Sequence, residues 1–299
     1  MTTATADRPL VTEAPSERRG LGARLASGLG KAPVHLLLIF VGLLWLVPTF
    51  GLFITSLMQP TDFQKEGWWN FLTKPGELTF DNYQAVFDNQ AIMDSLWTTV
   101  LVAVGGTLLP VFIGALAGYA FAWLEFPGRD WLFLTVVGLL IVPIQMALIP
   151  IYRIYNTFGL YDTVPGLILF HTAFALPFAI FLLRNFFAGI PRDLMEAARI
   201  DGASEFRLFF KVVLPLGLPA IASLAILQVL FVWNDLLIGL TLAQENQPIA
   251  PTIAQQLRRF GSNLDVIAPA SFFSAIIPLT IFAMFQRYFV QGLLAGSVK

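Results

Sequence analysis

Three consecutive residues, Trp233, Asn234 and Asp235, place an aromatic ring beside an amide and a carboxylate within an otherwise apolar stretch. An indole ring packs against the C–H faces of a sugar, and the two polar side chains exchange hydrogen bonds with hydroxyl groups. Polar side chains inside apolar spans usually face a cavity or the interior of a helix bundle. The triplet is therefore a candidate sugar pathway, with Gln145 and His171 as weaker candidates, and packing between helices is the alternative role for all five.

The chain lacks the side chains that most catalytic and metal sites require. It contains no cysteine, which excludes disulfides and thiolate sites, and its two histidines, His35 and His171, supply little for metal or triad chemistry. No Gly-x-x-x-x-Gly-Lys-Ser/Thr loop occurs, so the chain has no P-loop of its own for ATP. A net charge of -1 argues against nucleic acid as a partner. We predict no catalytic residue, no metal site and no cofactor in this chain.

The longest charged stretch, residues 184–215, lies between two apolar spans and predicts a pair of short helices around a glycine. Asp193 is suited to cap the start of the first helix, with Glu196 three residues later to complete a capping box. Gly202 supplies the stop at its C-terminal end. The stretch is therefore expected to be a structured loop at the membrane surface.

The second helix of this loop is predicted to start at Ser204, another capping residue, and to run to Leu214. Pro215 is then expected to bend the chain back towards the membrane. On the first helix, one face is small and apolar and consists of Leu194, Ala197 and Ala198. The other face is charged and consists of Arg192, Glu196 and Arg199. A short helix of this kind beside a membrane is suited to dock on a soluble protein.

The composition is that of an all-α membrane protein. Hydrophobic residues make up 57% of the 299 residues and charged residues 12%, with a mean hydropathy of +0.73; soluble domains carry roughly twice that share of charge. A transmembrane helix needs about 20 mainly apolar residues. Six transmembrane helices are predicted, at residues 34–58, 95–124, 131–152, 164–183, 216–240 and 267–286. Asp235 is the only charged residue within them.

The distribution of positive charge predicts the orientation. With the N-terminus inside, thirteen of the eighteen lysine and arginine residues lie on the same side as the N-terminus. Because such residues accumulate in cytoplasmic loops, both termini and the charged loop 184–215 are predicted to be cytoplasmic. Residues 1–32 have no apolar periodicity and are predicted to be a disordered cytoplasmic tail. A signal peptide is the alternative, but the apolar run that follows is too long for one.

Two loops on the opposite side are long enough to carry a function. Residues 59–94 hold six acids, two lysines and several aromatic residues, which suits either an interfacial lid or a folded cap over helix ends. Residues 241–265 contain the amide-rich runs Gln244-Glu245-Asn246-Gln247 and Gln255-Gln256. Both segments are predicted to be external loops.

Three motifs resemble a known family. Glu196-Ala197-Ala198, then Asp201-Gly202-Ala203, then Leu214-Pro215 resemble the EAA loop of permease subunits in binding-protein-dependent ABC importers. The phrase Phe-Val-Trp-Asn-Asp-Leu-Leu around Asn234 resembles the fifth helix of carbohydrate permeases. The C-terminal residues, with Gln291, Gly292 and Gly296, resemble the end of maltose-type sugar permeases, although Ser297 stands where alanine is common.

The resemblance implies a type I ABC importer permease bundle over residues 33–299 in a bacterial plasma membrane. In that family the EAA loop is a cytoplasmic coupling helix that docks on the ATPase, and the tail, here 287–299, extends towards the ATPase pair. The implied partners are a related second permease subunit, two ATPases that carry ATP and magnesium, an external solute-binding protein, a sugar and membrane lipid. In maltose-type relatives, the loop that corresponds to 241–265 reaches into the binding protein.

Other functions are less well supported by the residues. The same importer class could carry glycerol phosphate or a polyol, but no span holds a basic residue for an anionic cargo. An ion-coupled secondary transporter would need paired intramembrane acids or interrupted repeats, and Asp235 stands alone. An intramembrane enzyme would need a nucleophile and base, which one histidine and one aspartate in separate spans do not provide.

Overall fold

A computed structural model describes residues 21–59, 67–260 and 264–295, with side chains at 33–59, 67–257 and 266–287. Nearly all of these residues are helical, and the strand-like contact within these ranges is one isolated antiparallel bridge between Met58 and Leu78. The chain divides into two compact units, Met1–Phe50 and Gly51–Lys299. Helices suit a lipid environment because they satisfy their backbone hydrogen bonds internally.

The helices follow one another with short connections. Their bounds are α1 Leu21–Leu57, α2 Asp81–Asp88, α3 Gln90–Trp123, α4 Arg129–Gly138, α5 Ile144–Phe158, α6 Val164–Ala188, α7 Arg192–Ile200, α8 Glu205–Leu208, α9 Leu214–Trp233, α10 Leu237–Leu242, α11 Ile249–Phe260 and α12 Leu264–Ala295. Short 3-10 helices cover Trp68–Leu72, Pro75–Glu77 and Leu139–Ile141, and a π-helical segment, Phe209–Val213, joins α8 to α9.

Five helical stretches within the described residues are long and apolar enough to cross a membrane: Pro33–Leu57, Gln90–Trp123, Val164–Ala188, Glu205–Trp233 and Val266–Arg287. A sixth arises if Arg129–Ile141 and Ile144–Phe158, which meet at 100°, count as one broken span. The predicted all-α membrane fold is therefore confirmed, with five candidate spans in the described residues and a sixth if the bent pair counts as one.

The third predicted span, 131–152, is bent by Pro143. Val142 and Pro143 have extended backbones, with ψ of 115° and 132°, between the end of one helix and the start of α5. Proline cannot donate a helical hydrogen bond, and it disfavours helical geometry in the residue before it. The predicted span 131–152 is therefore divided at Pro143 into two helices that meet at 100°.

The close packing of α3 against α6 depends on small residues. A Cβ atom added to Gly114 would lie 2.7 Å from the Cβ of Ala179, and one added to Gly118 would lie 3.0 Å from the backbone nitrogen of Arg184. Small residues let two helix backbones approach each other within a membrane. The two helices form the centre of a core that includes Leu183.

The segment predicted as an external loop, 59–94, is largely folded where it is described. Asn82 of α2 is buried and donates to the carbonyls of Ser56 and Met58 at 3.0 and 2.8 Å. The hydroxyl groups of Ser56 and Tyr83 lie 2.7 Å apart. These contacts fasten the described part of the segment to the end of α1, as expected for the folded cap, and the interfacial lid stays an alternative.

The first and last described helices extend beyond the predicted spans. The tail 1–32 was expected to be disordered, but α1 begins at Leu21, and residues 1–20 lie outside the described part. At the other end, α12 continues to Ala295, so the C-terminal strip is helical over most of its length. Each of these segments continues an apolar span that is already helical. Extending an existing helix avoids the unfavourable nucleation step that a separate helix requires.

Candidate functional site

The charged loop 184–215 begins with α7, whose register differs slightly from the prediction. The helix starts at Arg192 and its N-cap position is Pro191, so Asp193 lies inside the first turn without a capping hydrogen bond. The predicted capping box with Glu196 was therefore wrong. Pro191 fixes the backbone just before the helix, and Asp193 can still interact favourably with the positive N-terminal end of the helix dipole.

The end of α7 is as predicted. Gly202 has a φ of +78°, which a side chain with a Cβ rarely adopts. The amide of Gly202 donates to the carbonyl of Arg199, and the amide of Ala203 donates to that of Ala198, both at 3.0 Å. This double hydrogen bond is the Schellman arrangement, which turns the chain sharply after a helix. Ser204 then caps α8 and accepts from the amide of Arg207 at 3.4 Å.

The buried face of α7 is not the one predicted. Met195 is fully buried against a core that includes Leu208 and Phe209, and Ala198 packs beside it. Leu194 and Ala197, which were expected to share the inner face with Ala198, are exposed instead. Since a helix turns 100° per residue, a single long side chain at Met195 is enough to anchor this short element.

The exposed surface of the loop combines apolar and charged side chains. Ile200 at the end of α7 is 85% exposed and Phe206 in α8 is 72% exposed. Arg192, Glu196 and Asp201 are also exposed around them. A contiguous patch of this kind on a rigid helix pair is typical of a protein–protein docking site.

A hydrogen-bonded network connects the charged loop 184–215 to the spans. The Nε of Arg199 in α7 lies 3.1 Å from an Oε of Glu205 in α8. The hydroxyl of Tyr119, near the end of α3, donates to the same carboxylate. The hydrogen bond that the Arg199 guanidinium donates to the Glu205 carboxylate raises the pKa of Arg199, so its charge is retained. This link was not predicted; the signal in the sequence was a tyrosine within an apolar span, whose hydroxyl needs a partner when buried.

The second half of the loop continues straight into the fifth span. Pro215 was expected to bend the chain, but α8, the π-helical segment Phe209–Val213 and α9 form one continuous helical stretch, Glu205–Trp233. Pro215 is the second residue of α9, directly after the π-helical segment, where the regular hydrogen-bond register is already interrupted, so the amide that proline lacks is not needed there. A π-helical turn also loosens the normal hydrogen-bond register. The expected bend was therefore wrong.

The fifth span ends earlier than the predicted 216–240, at Trp233, and the triplet lies at this break. The indole of Trp233 is 3% exposed and donates to the carbonyl of Ser274 at 3.0 Å. Its ring is thus packed inside the bundle and is not presented to a ligand. This matches the packing role that sequence analysis held open. Asn234 is exposed, with its amide 2.8 Å from the carbonyl of Leu230.

Asp235 lies two residues before α10. Its carboxylate accepts from the amides of Ile238 and Gly239 at 3.3 and 3.0 Å, which caps α10. His171 of α6, 2% exposed, places its Nε2 4.0 Å from the same carboxylate. The structure thus brings Asp235 and His171 together beside Asn234. Capping explains how a charged residue is retained within the apolar part of the chain.

The remaining candidates lie elsewhere. Gln145 is an exposed residue in the first turn of α5. Gln291 and Gly292 belong to the last turns of α12, where the backbone alone is described, and Gly296 lies outside the described residues.

Comparison with known proteins places these features in a family. The family described as binding-protein-dependent transport system inner membrane component matches residues 110–295. The osmoprotective compounds uptake permease protein GgtD of Synechocystis sp. is 42% identical over 275 residues, 90% of this chain and 92% of that protein. The alpha-glucoside transport system permease protein AglG of Rhizobium meliloti is 45% identical over 235 residues, 76% of this chain and 62% of that protein.

Among solved structures, a chain of a bacterial ABC transporter involved in the import of the acidic polysaccharide alginate is similar with a TM-score of 0.71. The match covers 92% of this chain and 100% of that chain at 21% sequence identity. At this identity the similarity concerns the fold, and it confirms the predicted importer permease bundle.

Proposed function

Because this chain belongs to the family of binding-protein-dependent transport system inner membrane components, we propose that it is one of two membrane subunits of an ATP-driven importer for a sugar or oligosaccharide. As a member of that family it is a transport subunit, and ATP is hydrolysed by a separate subunit. The observation that carries the proposal is the exposed, rigidly closed helix α7, held to the bundle by the buried Met195 and by the hydrogen bond from Arg199 to Glu205. Carbohydrate cargo is supported by the relatives, one of which is named for alpha-glucoside transport.

In this proposal α7 is the coupling helix that docks on a cytoplasmic ATPase. Its contact residues are Glu196, Ala197, Ala198, Asp201, Gly202 and Ala203. Exposure of Glu196, Ala197 and Asp201 leaves them free to meet a partner, while the Schellman closure at Gly202 holds the surface in one shape. A preorganised surface loses little entropy on docking and so transmits motion efficiently.

The membrane orientation follows from charge. Thirteen of the eighteen lysine and arginine residues lie on the side of α7 and the two termini, which favours that side as cytoplasmic. In this orientation the ATPases, with ATP and magnesium, contact α7 and the C-terminal residues Gln291, Gly292 and Gly296. A solute-binding protein then delivers the cargo from outside, and a related permease subunit completes the pathway.

The cargo path is proposed to pass the break between α9 and α10. Asn234 is exposed there and offers an amide for hydroxyl groups. Asp235 and His171 lie behind it and fix the break, and Trp233 supports it from within the core. Gln145 lies on α5 as a second polar group that cargo could contact. Transport then proceeds as a population shift between inward- and outward-facing arrangements of the bundle.

Replacement of Gly202 by valine tests the coupling role. The left-handed backbone at this position would cost a residue with a Cβ about 1–2 kcal/mol, and it would distort the closure of α7. We expect the complete importer, reconstituted with its ATPases and binding protein, to lose sugar uptake while the variant subunit still accumulates in the membrane.

A matched control is available at Gly128. Its φ is +79°, and like Gly202 it has no atom within 4 Å of an added Cβ, but it lies in a different loop. We expect Gly128→Val to retain uptake. Normal uptake in Gly202→Val, or equal loss in both variants, would contradict the assignment of α7 as the coupling helix.

A further inference from the structure

A polar cavity of about 450 Å³ lies at the end of the molecule opposite α7. Its walls come from the first turns of α3, from the linker 244–247 and from α11. Ten of its eleven lining residues are polar, and Ala91 is the exception. Its volume falls in the usual range of about 300–1,000 Å³ for small-molecule sites.

The linker wall of this cavity is held in one conformation. The carboxylate of Asp162 accepts from three successive amides, those of Gln244, Glu245 and Asn246, at 2.8–3.1 Å. The side-chain amide of Asn246 returns a hydrogen bond to the carbonyl of Asp162 at 2.8 Å. Asp162 has a φ of +55°, an uncommon value outside glycine. Such conformations persist where the surroundings fix them, and they concentrate at functional sites.

The linker is fixed at its other end as well. The amide of Ile249, at the start of α11, donates to the buried hydroxyl of Thr99 in α3 at 2.7 Å. Gln247 donates to the carbonyl of Ala243 at 3.0 Å. The three walls therefore form a rigid frame, and a ligand that enters it meets polar groups already in position.

Several side chains in the cavity have unused hydrogen-bonding capacity. The side chains of Gln244, Glu245, Gln255 and Gln256 make no hydrogen bond to any other described residue. Amides offer donors and acceptors together, and carboxylates accept from hydroxyl groups. Among the described lining residues there is no lysine or arginine, and Asp94 and Glu245 disfavour anions. The chemistry that fits is a neutral molecule rich in hydroxyl groups.

We propose that this cavity is an outer subsite that holds a neutral sugar unit between the solute-binding protein and the pathway at Asn234. The inference rests on the proposed function, since it assumes sugar cargo and places this end of the molecule outside. None of the described lining residues is aromatic, so the subsite lacks the stacking that makes sugar binding tight. Weak binding suits a transit site, which must release its ligand as readily as it accepts it.

The absence of native cysteine gives a direct test. Gln255→Cys introduces a single thiol into the cavity, and its labelling by a small maleimide is followed in the complete importer in lipid nanodiscs. Trehalose, sucrose and maltose serve as neutral probes, and glucose 6-phosphate as the anionic probe. We expect at least one neutral disaccharide to slow labelling about threefold at twice its dissociation constant, since protection follows 1 + [L]/Kd.

Asn156→Cys is the matched control, since Asn156 is an exposed amide residue on α5 outside the cavity. Its labelling should not respond to sugar, and glucose 6-phosphate should protect neither thiol. The labelling of the cysteine at position 255 is also measured with the binding protein, with and without sugar. If the sugar-free binding protein protects this cysteine as well as the sugar-loaded one does, the protection comes from protein docking, and the subsite is overturned. The subsite is also overturned if none of the neutral disaccharides slows labelling, or if the maleimide does not reach the thiol in the complex.

Uptake measured on the same preparation separates the two proposals. If Gln255→Cys importers take up radiolabelled disaccharide in an ATP-dependent manner but show no sugar protection, the subsite is wrong and the importer assignment stands. If no preparation, including the unmodified importer, takes up any sugar of the panel, the failure lies with the proposed sugar cargo.

Discussion

At the scale of single residues, Glu205 connects the charged loop 184–215 to the helix bundle. It accepts hydrogen bonds from Arg199 in α7 and from Tyr119 in α3, two residues 80 positions apart in sequence. A carboxylate shared in this way keeps α7 in a fixed relation to the span that ends beside it. Because the ion pair between Arg199 and Glu205 is partly exposed, its contribution to overall stability is expected to be only about 1 kcal/mol or less.

Charge reversal tests this connection. We expect Arg199→Glu to reduce sugar uptake and to decouple it from ATP hydrolysis, because two like charges would push α7 away from α8. The double variant Arg199→Glu/Glu205→Arg should recover a substantial part of the coupling. Uptake and ATPase rates are measured together in the reconstituted importer, and thermal unfolding of the subunit checks that its stability is little changed.

Tyr119→Phe provides the control for this pair, since it removes one hydroxyl and leaves both charges in place. It should produce a smaller loss of coupling than Arg199→Glu. Full coupling in Arg199→Glu, or a double variant no better than the single ones, would show that the network is not part of the transmission path.

At the scale of elements, the contact between α3 and α6 depends on matched small residues. Gly114→Ala would place a methyl group 2.7 Å from the Cβ of Ala179, which is too close for two carbon atoms. We expect Gly114→Ala to destabilise the subunit, by about 1–3 kcal/mol as for other overpacked cores. The double variant Gly114→Ala/Ala179→Gly should recover most of this loss, as measured by thermal unfolding in detergent.

Gly138→Ala is the control for helix propensity, because Gly138 is helical and has open space around it. It should be neutral or slightly stabilising, since alanine is the better helix former. Equal destabilisation by Gly138→Ala and Gly114→Ala would mean that loss of glycine itself, rather than the helix contact, is responsible.

The sequence allowed the helices to be predicted better than their interruptions. Composition and the length of the apolar runs were sufficient to predict the spans, because the length of a span is set by the thickness of the lipid hydrocarbon layer. Whether a given proline interrupts its helix was not predictable in this way. Pro143 separates two helices at 100°, whereas Pro215 lies within a continuous helical stretch. The difference depends on the neighbouring backbone geometry, which a local pattern does not contain.

In the candidate sites, too, features set by neighbouring residues were predictable and contacts between distant residues were not. Gly202 and Ser204 were predictable because caps depend on adjacent residues. The buried indole of Trp233, the link from Tyr119 to Glu205 and the outer cavity were not, because each joins distant parts of the chain. The hydrogen bond between Thr99 and Ile249, for example, spans 150 residues.

At the scale of the whole molecule, the orientation in the membrane can be tested on the cysteine-free chain. Glu196→Cys in α7 should react with a membrane-impermeant maleimide only after the cell is opened, because the charge distribution predicts that α7 is cytoplasmic. Glu245→Cys in the linker before α11 should react in intact cells. The opposite pattern would place α7 outside and remove its proposed access to an ATPase.

The uninterrupted course from Glu205 to Trp233 has a mechanical consequence. These 29 helical residues make a rod about 43 Å long at 1.5 Å per residue. Tilting such a helix by about 5° at its Glu205 end would move its other end, next to Asn234, by about 4 Å, more than the width of a water molecule. A small push from a motor protein would then suffice to widen or narrow a passage on the other side of the bilayer.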